Sequence, residues 1–496
     1  MSKKKVAIIG AGISGLSAIK SCLEERLDPV CFEQLDDIGG IWHYTDDCRP
    51  NQGASAYESL VTNTSKEVTC FSDYPHAPEK PNYLTYADFF EYLNSYADHF
   101  DLRKYVRFET QVTLIEKAPD HEYTGKWTVQ YTSKSHQHTE TFDCVMICIG
   151  RNRKPIYPDI QGRETFKGIL QHGIEFRSGK RQIYRDKNIL VIGNAHSAGD
   201  MATACSEHAK KVVLAIGRGT TLLSRYINGL PIDTTIRRIL LWVPGAIVNA
   251  NVKRIANAHI DHEKYGLKQP PNVIKGPICL NETLPDLIRN GSVAIKYETT
   301  RIDERGAEFN DGSRHDFDVI IMATGYDFEY DFIDPAIITD SHGRLKLYRL
   351  VWPIGETHST LAIIGAHLNR GASAVASLEL QGRWASAVFA GQLKLPTADV
   401  MEQEFLTRTR KVGEMFGDDR KTMPASTVLE FQDELASEIG SRPSFFRLLF
   451  REPFLAWQVL FGPAFNVQYR LLGRHAWKGA PEACRNAFKR VLQSRL

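Results

Sequence analysis

The sequence has no cysteine pair at CxxC spacing, and its nine cysteines (Cys22, Cys31, Cys48, Cys70, Cys144, Cys148, Cys205, Cys279 and Cys484) are odd in number. That pattern argues against a disulfide framework, a zinc ribbon and a redox dithiol, and for reduced, mostly buried thiols. There is no run near the roughly 20 apolar residues that span a bilayer. The longest, residues 239–248, contains Pro244 and Gly245. Charge of one sign is also missing: 61 basic residues face 59 acidic ones, for a net charge of +2. Nothing in that balance asks for nucleic acid. Lys3-Lys4-Lys5 resembles the start of a secretory leader, but the apolar run after it is interrupted by glycines, so a non-secreted protein is expected. No catalytic triad, carboxylate pair or metal-ligand cluster stands out.

What is present is a globular composition, 43% hydrophobic and 24% charged, on 496 residues, length for two to four domains at roughly 150 residues each. Residues 6–9 read as a short buried strand. The turn Gly10-Ala11-Gly12-Ile13-Ser14-Gly15 follows, then a helical stretch over 16–27 and a second strand over 29–33. GxGxxG alone is a weak signal, but between a strand and a helix it is strong. Gly10 permits the tight turn, Gly12 lets backbone approach a pyrophosphate, and Gly15 lets helix and strand pack closely. The helix N-terminus stabilises phosphate charge. Glu33 can accept from ribose hydroxyls and would repel a 2′-phosphate, so this turn suits FAD or NAD and not NADP.

The pattern recurs. Asn188–Ile192 reads as a strand, Gly193-Asn194-Ala195-His196-Ser197-Ala198-Gly199-Asp200 as a small-residue turn, 201–208 as a helix and 212–216 as a strand. That strand ends near Arg218, with Arg225 beyond and no acid. Guanidinium groups suit a 2′-phosphate through forked, charge-assisted bonds, so the second turn reads as an NADPH site. Buried strands at 145–149 and Val319–Met322, each followed by glycine, flank it as two crossings between domains. The expected architecture is α/β, with two Rossmann-type dinucleotide-binding domains and the NADP domain inserted into the FAD domain. Its parts are an FAD-binding first part (1–165), an NADPH-binding domain (166–322) with a helical insertion around 220–284, and a second FAD-binding part with a C-terminal helical segment (323–496). Two such folds imply electron flow from nicotinamide to flavin. Without a redox cysteine pair, O2 is the remaining acceptor.

Phe166 to Phe176 read FKGILQHGIEF, matching FxGxxxHxxx(Y/F), and here the chain resembles the flavin-containing monooxygenases, animal members most closely. Asp37-Ile38-Gly39-Gly40-Ile41-Trp42 resembles the family's (E/D)xGGxW, Ala323-Thr324-Gly325-Tyr326 its ATGY, and residues 57–75 and 461–471 also look alike. The resemblance implies that Gly40, Trp42 and Thr324 join Gly10, Gly12, Gly15, Glu33, Gly193, Ser197, Arg218 and Arg225 in binding cofactors. It places Asn63 beside the reactive edge of the flavin. It puts His196 where many members carry asparagine, which loosens the preference for NADPH over NADH, and it gives His172 a linker-fixing role. From residues alone, Asn63 in TNTS composition reads rather as a turn residue, which the surrounding match reverses, and Lys66 with Glu67 as a surface ion pair.

The resemblance further implies that NADPH reduces FAD, that O2 adds to form a C4a-hydroperoxyflavin, and that an amine or thioether takes its distal oxygen to give an N-oxide or S-oxide, as in xenobiotic metabolism. Baeyer–Villiger oxygenation of ketones is an alternative, against which Phe176 counts because those enzymes carry tryptophan there. An uncoupled NADPH oxidase releasing hydrogen peroxide is another. The aromatic and basic stretches 445–461 and 236–255 suit an interfacial helix on anionic lipid and a core-packed one about equally. A cytoplasmic enzyme and one peripheral to the endoplasmic reticulum membrane therefore both stay open, as does a homodimer.

Overall fold

The computed structural model describes residues 3–48, 53–366, 374–416 and 428–494. The chain opens with β1 (Lys5–Ile9), α1 (Ile13–Glu24) and β2 (Asp28–Phe32). β3 (Cys144–Ile147) lies on the other side of β1. With Val106–Arg107 and Leu361–Ile363 these strands form one parallel five-stranded sheet, in which Leu361–Ile363 pairs β3 and Val106–Arg107 pairs β2. After Lys5, β1 is apolar throughout because both its faces are covered: Val6 and Ile8 pack with helix residues such as Leu16 and Trp384, and Ala7 and Ile9 with strand residues such as Val112, Trp127 and Phe142.

The second sheet repeats this plan. Its strands are β4 (Asn188–Ile192), followed by helix α2 (His196–Ser206), then β5 (Lys211–Ala215) and β6 (Val319–Met322), with Ile169–His172 and Val293–Lys296 at the edges, all parallel. In both sheets a three-stranded antiparallel meander precedes the strand that pairs with the opening one. It is Thr110–Lys117, Trp127–Ser133 and His136–Phe142 before β3, and Thr299–Ile302, Gly306–Phe309 and Arg314–Asp316 before β6. Every strand of the second sheet lies within 169–322, between strands of the first.

The two chain crossings pair with each other, Lys154–Pro155 running antiparallel to Tyr326–Asp327. His172 sits there with its ring 5.4 Å from Tyr157 and 5.2 Å from Tyr326. The 220–284 stretch holds a strand pair (Thr221–Leu223 with Ile278–Leu280), a small hairpin around Asn228 and the helix Gly245–His259.

Two local expectations are corrected. Residues 193–200 are not wholly a turn, because α2 begins at His196 with Ala195 as its N-cap; small residues there let the first helical turn lie against the sheet. Lys66 and Glu67 are no surface pair. Both are buried. Glu67 takes a two-pronged bond from Arg490 on the helix Ala480–Gln493. Lys66 spends its ammonium on the carbonyls of Ala77, Pro78 and Lys80 and the hydroxyl of Ser494. Part of the C-terminal basic charge is thus consumed inside the fold. Buried Arg470 similarly reaches Glu24, Asp73 and Glu379.

Candidate active site

The carboxyl ends of both sheets open into one cavity of about 1880 Å³, above the roughly 300–1,000 Å³ usual for one small ligand. The first glycine turn forms its floor. Gly10 has φ +100°, and a Cβ there would stand 2.8 Å from the Cys148 carbonyl oxygen. A Cβ on Gly15 would lie 1.8 Å from the Gly10 oxygen. These two glycines serve the fold. Gly12 differs: a Cβ there meets nothing nearer than Gly40 Cα at 3.6 Å, and both glycines line the cavity. What Gly12 keeps clear is the ligand space itself. Glu33, buried, accepts from Ala11 N–H (2.7 Å) and Leu35 N–H (2.9 Å). Burial lifts its carboxyl, and those amides oppose the rise. Trp42 lines the cavity with a buried indole N–H that has no hydrogen-bond partner among the described residues.

The second turn contributes Asn194, Ala195, His196 and Ser197 to the opposite wall. His196 Nδ1 accepts from Leu280 N–H (3.1 Å). Burial, with Arg225 and Arg151 adding to it, pushes the ring down to about 4, so it is neutral at physiological pH and carries its proton on Nε2. Asn63 also lines the cavity, and its Oδ1 accepts from Arg225 Nη2 at 3.1 Å. Only oxygen can accept from guanidinium, so the amide NH2 of Asn63 is left free to donate.

Arg225 is the main displacement from the sequence reading. It does not stand with Arg218 at the strand end. Its guanidinium is buried and bound to Glu282 (2.8 Å), the Thr62 carbonyl (3.2 Å) and Asn63. The chain turns inward after residue 220, which carries this arginine to residues 62 and 63. Arg218 is exposed beyond β5 and outside the cavity lining. Gly193 packs against the second crossing, where a Cβ would stand 2.5 Å from the Ala323 oxygen. Thr324 donates its hydroxyl to the Ile156 carbonyl, tying the crossings together, and does not line the cavity. Arg151, Asn152 and Arg153, just past β3, do line it. The sequence reading passed them over, although basic residues at the carboxyl end of a Rossmann strand are the available signal.

The profile of the flavin-binding monooxygenase-like family matches residues 3–495. The chain belongs to this family. It is 37% identical to Flavin-containing monooxygenase 2 of Homo sapiens over 501 residues, covering 99% of this chain and 92% of that protein. It is 39% identical to Flavin-containing monooxygenase 5 of Rattus norvegicus over 490 residues, 97% of this chain and 91% of the other. Among solved structures it resembles the S-allyl-L-cysteine S-oxygenase of Allium sativum, with a TM-score of 0.66, 23% identity and coverage of 98% and 99% of the two chains. It also resembles a cyclohexanone-bound cyclohexanone monooxygenase, with a TM-score of 0.64, 16% identity and coverage of 88% and 98%. At these identities the two structures speak for the fold.

This flavin-containing monooxygenase is therefore an oxidoreductase that uses FAD, NADPH and O2. The cavity fits those cofactors. The space over Gly12 and Gly40, the α1 N-terminus, the Glu33 carboxylate and the unpartnered Trp42 N–H form a cradle suited to FAD. Among the described residues no histidine, cysteine or carboxylate group gathers as a metal site, and no helix is long and apolar enough to cross a membrane.

Proposed function

We propose that this monooxygenase transfers one oxygen atom of O2 to soft nitrogen or sulfur atoms of small molecules, giving N-oxides from amines and S-oxides from thioethers, with water as the second product. Bound FAD supplies the oxygen-activating centre. The protein's contribution is binding, orientation and exclusion of water. In this reading residues 166–322 hold NADPH, with the α2 N-terminus at its phosphates and Arg218 at the 2′-phosphate. The observation that carries the proposal is Asn63: a cavity-wall amide whose oxygen is held by buried Arg225, leaving N–H donors ready where negative charge develops. Neutral His196 lines the same cavity without adding charge to it. No acid–base pair is needed, because a soft nucleophile attacks unaided.

The test is product analysis with N,N-dimethylaniline, an aryl methyl thioether and cyclohexanone, with NADPH and peroxide counted together. N-oxide and S-oxide close to the NADPH consumed support the proposal. Lactone as main product would establish the Baeyer–Villiger alternative, and stoichiometric peroxide the oxidase. Asn63→Asp should keep FAD bound yet shift most of the NADPH to peroxide; an unchanged oxide yield would remove the role given to Asn63.

A peripheral membrane location is favoured by one surface. Phe446, Phe450, Phe454 and Trp457 are 75%, 89%, 59% and 55% exposed, and Trp242 is 73% exposed. Their segments are adjacent, since Ala464 N–H donates to the Ile236 carbonyl (2.9 Å). Exposed Arg447 and Arg451 lie between the phenylalanines. Aromatics interleaved with arginine suit an anionic bilayer interface. Flotation with vesicles containing phosphatidylserine tests this, and Phe450→Ser with Trp457→Ser should abolish it.

A further inference from the structure

Asp233 lies on the short turn Ile232–Thr235, inside the 220–284 stretch of the second domain. Its side chain is buried and lines the cavity. The carboxylate accepts twice from one residue of the first domain: Ser65 N–H donates to Oδ2 (2.5 Å) and the Ser65 hydroxyl to Oδ1 (2.9 Å). Among the described residues it forms no ion pair with any lysine or arginine. Burial lifts its carboxyl to about 6, the Ser65 bonds oppose that, and Glu67 adds to it. A buried carboxylate without a counter-cation is unfavourable unless its hydrogen bonds are good. Here both go to the loop that carries Asn63.

The same loop is gripped two residues earlier. Arg225 donates to the Thr62 carbonyl and to Asn63 Oδ1, and Tyr83 donates its hydroxyl to the Arg225 carbonyl (2.5 Å). Between Arg225 and Asp233 the chain forms only the small hairpin Tyr226–Ile227 with Leu230–Pro231. One compact segment of the second domain therefore holds residues 62, 63 and 65 of the first.

We propose that Asp233 is a positioning residue: by holding the Ser65 N–H and O–H across the domain boundary it sets the Asn63 amide at the cavity wall, so that placing this donor depends on the second domain being docked. The inference rests on the reading of Asn63 as the amide that faces the cofactors. Residue 64, between the two grips, keeps its own local bond to Thr69. Past Ser65 the chain is held by Lys66 N–H on the Asn82 carbonyl (2.7 Å), so removing Asp233 releases the Ser65 N–H and hydroxyl locally while Arg225 keeps residues 62 and 63.

The experiment compares Asp233→Ala, Asp233→Asn, Ser65→Ala and the double variant Asp233→Ala/Ser65→Ala with Asn63→Ala. Amide hydrogen exchange over 61–67 is read on protein with and without FAD, and peroxide released per NADPH is read in turnover. Asp233→Ala should speed exchange at Ser65 about tenfold, as expected for loss of a charge-assisted bond. It should raise the peroxide share severalfold and leave the KM for NADPH within about twofold, a split that general unfolding would not produce. Asp233→Asn, which can keep one acceptor, should fall between Asp233→Ala and wild type. The double variant should be no worse than the worse single one. Wild-type exchange and coupling in Asp233→Ala, alongside an uncoupled Asn63→Ala, would overturn the role of Asp233 alone. Wild-type coupling in Asn63→Ala would overturn the Asn63 reading and this inference with it. If Asp233→Ala fails to fold, Asp233→Asn and Ser65→Ala decide.

Discussion

The two nucleotide turns of this protein share a topology and differ in how closed they are. At the first, Gly12 caps α1 and Glu33 is buried with both oxygens engaged by backbone amides. At the second, Ala195 caps α2, the position equivalent to Glu33 is the buried apolar Ile216, and the nearest charge, Arg218, stands exposed two residues beyond it. The first domain is also stapled by its distant C-terminal segment, through Arg470 to Glu24, Asp73 and Glu379 and through Arg490 to Glu67. A closed site suits a cofactor that stays through turnover, and an open one suits a coenzyme that leaves each cycle.

The sharpest way to break this contrast is Gly12→Val. A Cβ there meets only Gly40, at 3.6 Å, so the chain should fold and FAD should be lost. We expect below roughly a tenth of normal flavin per chain, because valine fills the pyrophosphate approach. Gly15→Ala should instead damage the fold itself, since its Cβ would lie 1.8 Å from the Gly10 oxygen. A yellow, fully loaded Gly12→Val protein would remove the assignment.

Next in size is the pair of arginines. Arg218→Ala should raise the KM for NADPH roughly ten- to a hundredfold, the equivalent of about 1.5–3 kcal/mol for a charged hydrogen bond, and barely change that for NADH. Arg225→Ala should leave the NADPH KM within about threefold while increasing peroxide, since its partners are Asn63, Thr62 and Glu282. The reverse outcome would return Arg225 to the coenzyme phosphate.

The smallest effect expected is on acid stability. Burial opposes ionisation of Glu24, yet Arg470 and Lys20 outweigh it and hold the carboxyl down to about 2. Its folded value lies below the unfolded one near 4.3. The stabilisation is therefore complete above that value and lost as pH falls toward 2. Between those limits FAD fluorescence should rise before the second domain melts. Simultaneous loss of both would show that the C-terminal staple does not set the first domain apart.

Much of the framework was legible in the amino acids. β4 and β6 were found to the residue, and β1, β2 and β5 within one residue at each end, because strands buried on both faces are continuous apolar runs. The helices were read less well. α2 begins five residues before the expected 201, since small residues suit a turn and a first helical turn alike. The repeated meanders went unread, their alternation being weak on an exposed face such as His136–Phe142.

By itself the sequence determined the two Rossmann turns, the pair of cofactors and the family, because glycine spacing is a local requirement of backbone and phosphate. Only the tertiary structure decided which side chains meet. It sent Arg225 to Asn63, buried Lys66 and Glu67 under the C-terminal helix, gave Thr324 to a crossing and brought Asp233 to Ser65 over a separation of 168 residues. Such partnerships depend on how distant segments and the two domains dock, and docking leaves no periodic trace in a chain.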